Sequence, residues 1–416
     1  MAWFVGIDLN KKYTQISCLG PKMTEPKTLS QTGNDEIFSI PMCICQKKGT
    51  DEWLCGFDAA GYASDPDYTG VWDLFDAALA NRQIVIDGEN LDGRMLFALY
   101  LQKLLMIAGA RYGFRNIDEI IFTTKNVTLQ MLDVIEYISE YMPAPKDRIL
   151  IKDYKETFYY YALKQSNELK LHEIYLFNYE GDELLLYRLE RNEKTTPKVV
   201  SVKEVRYDKF AVGPLGIHKK EADKDALFEE VVKDNIKGHI VSTIYLVGDG
   251  FDGGWMHRAV PIIVKERHAF IGKNLFSRGA CYGCGISEAS TEWPYIYLGD
   301  SKTQVNILLE VEDRNKSRLV TLISAGENWY ETSGCVSVIL EEGEEFDIIL
   351  RAPDGSETRR QTISLSGLKD RENRTTRLEI YARPEAENEI YFKVTDMGFG
   401  EIYPSSGKVF EYRITI

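Results

Sequence analysis

The stretch FVGIDLNKKYTQI, Phe4 to Ile16, decides how the chain is read. Phe4, Val5 and Ile7 surround a glycine and read as a buried strand. Asp8 stands at the mouth of a turn made of Leu9, Asn10, Lys11 and Lys12. The YTQISCL that follows alternates polar and apolar residues, as a strand with one buried face does. The stretch therefore predicts a hairpin whose turn carries one carboxylate and two lysines. Such a turn suits a magnesium-bound phosphate, because backbone amides and cations neutralise phosphate charge and a carboxylate holds the ion's water shell. It also suits a solvated hairpin whose lysines simply face water.

Outward from this hairpin, 416 residues are enough for two or three domains with a sizeable core. A formal net charge of −14 argues against nucleic acid as the main partner, since phosphate backbones demand a basic face. The N-terminus has no signal-peptide pattern, and no apolar run reaches the roughly 18 residues of a membrane helix. The expected location is cytoplasmic, with no membrane span. Seven cysteines at irregular spacing do not form a secreted disulfide framework. Cys43 with Cys45 and Cys281 with Cys284 are close pairs. They leave open a zinc site, a CxxC redox pair at Cys281 and Cys284, or ordinary buried thiols. The five histidines are scattered, and GxxxxGKS/T, HExxH and GxSxG motifs are absent.

Along the chain, residues 27–60 read as a β-rich insertion and 61–83 as a surface loop. A helix is expected from about Leu91 to Tyr112, a strand at Glu119–Thr124 and a helix at Leu129–Tyr141. ILIKDY is a further strand and ETFYYYALKQ a further helix. Strands alternating with helices indicate an α/β sheet. LHEIYLFNYEGDELLLYRLERN repeats the opening pattern as two strands around a turn at Asn178–Asp182. Lys219–Gly238 is a helix, and TIYLVGDGFDGGWM is an apolar strand entering a glycine-rich turn. Gly279, Ala280 and Cys281 are expected to begin a tightly packed helix. After about Gly299, eight short strands separated by turn signals predict an all-β sandwich.

Three turns thus occur in order, GIDLNKKYT, LFNYEGDEL and YLVGDGFDGG. The layout resembles the actin, sugar-kinase and Hsp70 superfamily. DYKETFYYYALKQ and FSRGACYGC resemble its two connecting helices, where small residues let helices cross closely. LSGLKDRENRTTRLEIYARPEAENEIYFKVTD resembles the β substrate domain of Hsp70. The whole also resembles an uncharacterised clostridial family of Hsp70-like proteins, through DYKETFYYYAL, GDGFDGGWM, GKNLFSRGACY and DMGFGEIYPSSG. The resemblance implies a two-lobed, ribonuclease H-like α/β core over residues 1–299, with lobes of about 1–170 and 171–299. A β-sandwich would follow over 300–416.

The resemblance also implies roles. Asp8 matches the magnesium-linked carboxylate of the first phosphate loop. Asn10, Lys11 and Lys12 replace the glycine and small hydroxyl residues that let backbone wrap a phosphate. Asn178 stands where an aspartate positions magnesium. Glu180 and Asp182 flank Gly181 where glycines normally approach the phosphates. Asp153 matches the carboxylate that orients attacking water, with Lys155 and Glu156 as neighbours in register. Gly248, Asp249, Gly250 and Gly253 form the adenosine loop, or else a turn that needs glycine for backbone reasons. ATP or ADP with magnesium is the implied cofactor, and a slow ATPase the implied enzyme. Asp8 would organise magnesium, Asp153 the water, and Lys11 or Lys12 the transition-state charge.

Two carboxylates beside a triphosphate repel it unless a metal or lysine intervenes, so a degenerate cleft is the competing expectation. The functional reading is an Hsp70-like protein whose β domain binds a protein or peptide and is followed by no helical lid. The alternatives are a pseudo-ATPase scaffold for protein assembly and an actin-like filament protein. Tyr159–Tyr161 are expected to pack on the first connecting helix.

Overall fold

The opening hairpin forms where it is expected, but its second strand is buried on both faces from Thr14 to Cys18 rather than on one. The computed structural model describes residues 2–33, 36–213, 216–286, 293–314, 316–368, 372–386 and 388–416. In it β1 (Phe4–Leu9) pairs antiparallel with β2 (Tyr13–Leu19), Asp8 opposite Gln15. β3 (Lys27–Thr28), β4 (Ile40–Pro41), β5 (Ile44–Lys47), β6 (Trp53–Cys55), α1 (Phe57–Ala60) and β7 (Tyr68–Val71) come after it. Next come α2 (Leu74–Leu79), β8 (Gln83–Ile86), β9 (Glu89–Asp92) and α3 (Gly93–Tyr112). α3 starts where the Asp92 side chain accepts the Arg94 N–H at 2.8 Å, and ends at Gly113 in the left-handed region, φ 87°. β10 (Glu119–Thr124), α4 (Leu129–Ser139), β11 (Ile149–Asp153) and α5 (Tyr154–Lys164) complete this half.

The second half repeats the plan with β12 (Glu173–Glu180), β13 (Glu183–Asn192), β14 (Lys198–Tyr207), α6 (Glu221–Ile236), β15 (Val241–Val247), α7 (Ala259–Ile263), β16 (His268–Gly272) and α8 (Leu275–Gly283). The first sheet has the order β11-β10-β1-β2-β3 and the second β16-β15-β12-β13-β14. Numbered within each half, both run 5-4-1-2-3. In both, strands 1 and 2 are antiparallel while strands 1, 4 and 5 are parallel. A helix leaves the last parallel strand of each half, α5 after β11 and α8 after β16.

The two helices meet because glycine removes the obstacle. A Cβ on Gly279 of α8 would lie 2.1 Å from the carbonyl oxygen of Thr157 in α5. One on Gly6 of β1 would lie 2.1 Å from the Ser277 carbonyl oxygen and 2.4 Å from the Cys281 nitrogen. The small-residue run sits in the second half of α8 rather than at its start, which places it over α5. The halves are thus joined through β1, α5 and α8.

The chain divides into two compact units. The first holds the residues up to Glu190 and Val202–Ile286. The second holds Arg191–Ser201 and the chain from Trp293 on; in it Lys198–Val200 pairs parallel with β17 (Tyr295–Tyr297). Its remaining strands are β18 (Asn306–Asp313), β19 (Lys316–Ile323), β20 (Gly334–Leu340), β21 (Glu345–Arg351), β22 (Thr358–Ser364), β23 (Thr376–Ala386), β24 (Glu389–Asp396) and β25 (Val409–Thr415). They form two four-stranded sheets, β19-β18-β21-β22 and β20-β23-β24-β25. One shared core, with Ile307, Ile348 and Leu350 from the first sheet and Ile380, Phe392 and Val394 from the second, makes them a sandwich of the eight expected strands. Within the stretch Leu365–Asp396, residues 369–371 and 387 lie outside the described residues.

Three expectations are corrected. Residues 61–83 are not a surface loop. They contain β7 and α2, whose Leu74, Phe75, Ala77 and Ala78 are buried. The turn at Asn178–Asp182 shrinks to Gly181 and Asp182, because Asn178 and Glu180 are strand residues paired with Leu185 and Glu183. β14 arises in a span to which the sequence pattern assigned no element. Among the described residues no helix is long and apolar enough to cross a membrane.

Backbone contact at Gly6 cannot be relieved by a rotamer change, so Gly6→Ala is expected to cost about 3 kcal/mol, the upper end of overpacking. Gly272→Ala, whose Cβ would meet nothing within 4 Å, is expected to be neutral. Denaturant unfolding of the two variants checks this, and equal stabilities would contradict it.

Candidate functional site

Asp8 is the penultimate residue of β1, near the carboxyl ends of the first sheet's parallel strands. Its side chain is buried, and Oδ1 accepts the Tyr154 hydroxyl at 2.7 Å. Tyr154 is the first residue of α5, and its ring stacks on Phe276 of α8 at 3.8 Å and 4°. Burial, with Glu180 nearby, pushes the Asp8 carboxyl up to about 8 despite the Tyr154 hydrogen bond. Much of the Asp8 population therefore carries a proton at neutral pH.

The β1–β2 turn is closed on itself. Asn10 N donates to Tyr13 O at 3.0 Å, and Asn10 Oδ1 accepts the Lys12 N–H at 3.1 Å. Lys11 pairs with Asp76 at 3.0 Å, both exposed, and Lys12 is exposed. From the second half, Glu180 takes the Tyr13 hydroxyl on Oε1 at 2.9 Å and the Asn10 amide on Oε2 at 3.3 Å. Both carboxyl oxygens of β12's last residue are thus engaged by the first hairpin. Burial raises the Glu180 carboxyl first of all, Tyr13 opposes that, and Asp249 adds to it. Lys125 and Arg206 both pair with Glu183, the first residue of β13.

Asp153 caps α5, its Oδ1 accepting the Glu156 N–H at 2.7 Å. Its neighbours form a buried pair, Lys152 Nζ to Glu156 Oε1 at 2.6 Å, on which the Tyr160 hydroxyl also donates at 3.0 Å. Asn178 is buried in β12, and its Oδ1 has no partner among the described residues; Gln15 Oε1, buried in β2, is in the same condition. Gly181 adopts φ 58° in the two-residue turn.

The glycine-rich turn after β15 is occupied from within. A Cβ on Gly248 would lie 2.2 Å from Tyr179 O, and one on Gly250 would lie 2.3 Å from the Tyr179 ring. Trp255 Nε1 donates to Gly250 O at 2.9 Å. Phe251 and Trp255 join Tyr179, Phe210 and Phe228 in one buried cluster. Lys224 lies 4.6 Å from the Trp255 ring centroid. Asp249 opens the short helical turn Asp249–Phe251, while Gly253, φ 93°, faces open space. Two of the four adenosine-loop positions therefore use their missing Cβ on Tyr179 rather than keeping room for a purine.

These residues do not fit a magnesium triphosphate. The carboxyl meant to hold the ion's water shell is raised and hydrogen-bonded by Tyr154. The acid at the second loop is tied to Tyr13 and Asn10, and Lys11 is engaged with Asp76. Among the described residues no group of three or more His, Cys, Asp and Glu side chains is arranged to hold a metal ion. The tyrosines that bond to these carboxyls, Tyr13 and Tyr154, are not among those singled out in the sequence. Their signal is an aromatic next to each motif carboxylate or turn. Tyr159 and Tyr160 are buried on α5, where their packing was expected. Cys281 and Cys284 are free, buried thiols raised well above their usual range by burial, with Sγ atoms on the carbonyls of Phe4 and Val5 at 3.3 and 3.7 Å. That environment suits packing, not thiolate chemistry.

The first unit is a duplicated mixed α/β body and the second a β-sandwich. The chain belongs to the family of unknown function DUF5716, whose C-terminal model matches residues 25–300. A domain of unknown function, DUF8552, matches residues 302–416. No curated protein matches the chain.

Asp8 gives the site a pH signature. With a folded value of about 8 against an ordinary carboxyl in the unfolded chain, the folded state binds the extra proton between about pH 4 and 8. That contribution is complete below the unfolded value and is lost as pH rises through the folded one. Asp8→Asn keeps an acceptor for Tyr154 without the charge. Its melting temperature is expected to gain on the parent protein steadily from pH 5 to pH 8. A constant difference across that range would contradict the buried, protonated carboxyl.

Proposed function

We propose that this chain is an Hsp70-like pseudo-ATPase: a two-lobed scaffold whose nucleotide cleft is closed by its own side chains, joined to a β-sandwich that binds protein. Support for the architecture comes from the repeated 5-4-1-2-3 sheets and the glycine-mediated crossing of α5 and α8. Both are what the resemblance to the actin and Hsp70 superfamily implies. The observation that carries the function is the closure itself, Tyr154 on Asp8 together with Tyr13 and Asn10 on Glu180.

This closure replaces the charge logic of a nucleotide site. A triphosphate would have to break three hydrogen bonds to the buried Asp8 and half-buried Glu180 carboxyls and approach Asp8, Glu180 and Asp249, whose negative forms repel it. Two of these bonds, from Tyr13 and Asn10 to Glu180, run directly between the lobes, and the Tyr154 bond to Asp8 lies within the first. Each contributes about 0.5–1.5 kcal/mol, more where the carboxyl is charged. The lobes are held in one arrangement without a ligand, which suits a part that positions other proteins.

Thermal unfolding with millimolar Mg-ATP, beside Mg-ADP and a metal-free control, tests this. A ligand at a hundredfold over its Kd would stabilise the folded state by about 2.7 kcal/mol. The expected result is no metal-dependent shift. A shift with Mg-ATP that Asp8→Ala abolishes would overturn the reading and restore a working nucleotide cleft.

A further inference from the structure

We propose that the first unit holds a site for a small primary amine with a compact apolar body, in a cavity at the amino ends of β1, β10 and β11 where Glu119 takes the ammonium group. The site lies at the opposite strand ends from Asp8, and the inference stands apart from the pseudo-ATPase reading.

The cavity forms where two loops feed neighbouring strands. Residues 116–118 lead into β10, and residues 143–148 lead into β11. The Ile117 N–H donates to Pro143 O at 3.1 Å, and the Asp118 N–H donates to Trp3 O at 2.8 Å. These bonds hold the loops beside each other and beside the start of β1. Pro143 and Pro145 stiffen the second loop by fixing φ. Gly285, two residues past α8, lines the cavity with φ 71°, and its N–H donates to Glu119 Oε2 at 3.0 Å. The volume is about 630 Å³, within the range of small-molecule sites.

The lining joins an apolar wall to one deep charge. Phe4, Ile117, Pro143, Ala144 and Pro145 make the wall. Glu119 lines the same cavity and is only 6 % exposed. A carboxylate that far from water needs a cation or a full set of donors. It has neither in full. Oε2 has the Gly285 N–H, and Arg148 approaches it only to 3.7 Å, beyond hydrogen-bond length, with a side chain 60 % exposed. Lys152 is taken up by Glu156 at 2.6 Å. Among the described residues Oε1 has no hydrogen-bond donor, so the carboxyl keeps an unused acceptor beside the cavity.

Charge and shape select the ligand. The lining sets two carboxylates, Asp118 and Glu119, against one guanidinium, Arg148, and so favours a single added positive charge. A primary amine is protonated at neutral pH, as lysine is, and its N–H groups give Oε1 charge-assisted hydrogen bonds. A quaternary ammonium has no N–H to give and is held by a cage of aromatic rings. Phe4 is the one aromatic ring lining this cavity among the described residues. A lysine of a partner protein would bring a slim four-carbon stem and leave most of the volume unfilled. An amine with a compact apolar body covers the proline and isoleucine wall as well.

The test is isothermal titration calorimetry of the full chain with 2-phenylethylamine at pH 7, beside 2-phenylethanol and the N-trimethylated amine. The expected result is saturable binding of the primary amine, at least tenfold tighter than either comparison. Glu119→Gln keeps an acceptor for the Gly285 N–H, and is expected to weaken the amine at least tenfold and to erase its preference over the alcohol. Arg148→Ala removes a competing cation from an exposed position, and is expected to tighten the amine at least threefold, which damage to the fold would not do. No saturable binding by the parent chain overturns the proposal. Equal affinity for amine and alcohol overturns it, since the apolar wall alone would then be binding. Binding that Glu119→Gln leaves intact overturns it too. Binding of Nα-acetyl-lysine methylamide at least tenfold tighter than 2-phenylethylamine overturns it in favour of a partner's lysine side chain. None of these results bears on the Asp8 site, which the Mg-ATP experiment decides separately.

Discussion

The first unit depends on backbone-to-backbone approach at two glycines. Gly6 admits α8 against β1, and Gly279 admits α5 against α8, each at a distance no side chain permits. The contact is short enough for Ser17 Oγ and Ser277 Oγ to hydrogen bond at 2.8 Å and for Thr123 and Thr157 to do so at 3.1 Å. Because α5 and α8 each leave the last parallel strand of their own half, their crossing fixes how the two sheets face each other. That geometry sets the surroundings of every group at the carboxyl edges of the strands.

The result is a site whose groups largely satisfy each other. Asp8 lies close enough to the start of α5 for Tyr154 to reach it, and Glu180 close enough to the first hairpin for Tyr13 and Asn10 to take both its oxygens. An enzyme site keeps carboxylates ionised and poised for a ligand, at a cost in stability. Here burial favours the neutral carboxyl, and tyrosine hydroxyls supply the donors. Asn178 and Gln15 are the exceptions, since each keeps a buried oxygen without a partner among the described residues.

Most of the architecture was legible because it is written in short-range periodicity. The YTQISCL alternation, the EIIFTT run and the eight late strands each appear where they were expected. α2 escaped because LFDAAL is only six residues long and sits among polar and aromatic neighbours. The candidate site was readable as a set of motif positions and not in its content. Motif order brings Asp8, Asn178 and Gly248 to corresponding strand ends, but nothing local tells that Glu180 bonds to Tyr13, 167 residues earlier. Glycine is equally silent. A GDG after a strand is the same sequence whether the missing Cβ makes room for a purine or, as at Gly248 and Gly250, for Tyr179. Asp153 illustrates the same ambiguity, since a carboxylate before a helix is also a common way to cap one.

The central claim is that the Asp8 carboxyl, near the end of β1, is held neutral by burial against the pull of the Tyr154 hydrogen bond, instead of serving as an anionic ligand. Its most direct test is the carboxyl ¹³C titration of aspartate-labelled protein, with the Asp8 resonance assigned by its absence in Asp8→Asn. The account predicts that this resonance titrates near pH 8 and is protonated at about pH 6. Titration near pH 4, as for an exposed aspartate, would contradict it and return the cleft to the class of sites that can hold a metal ion.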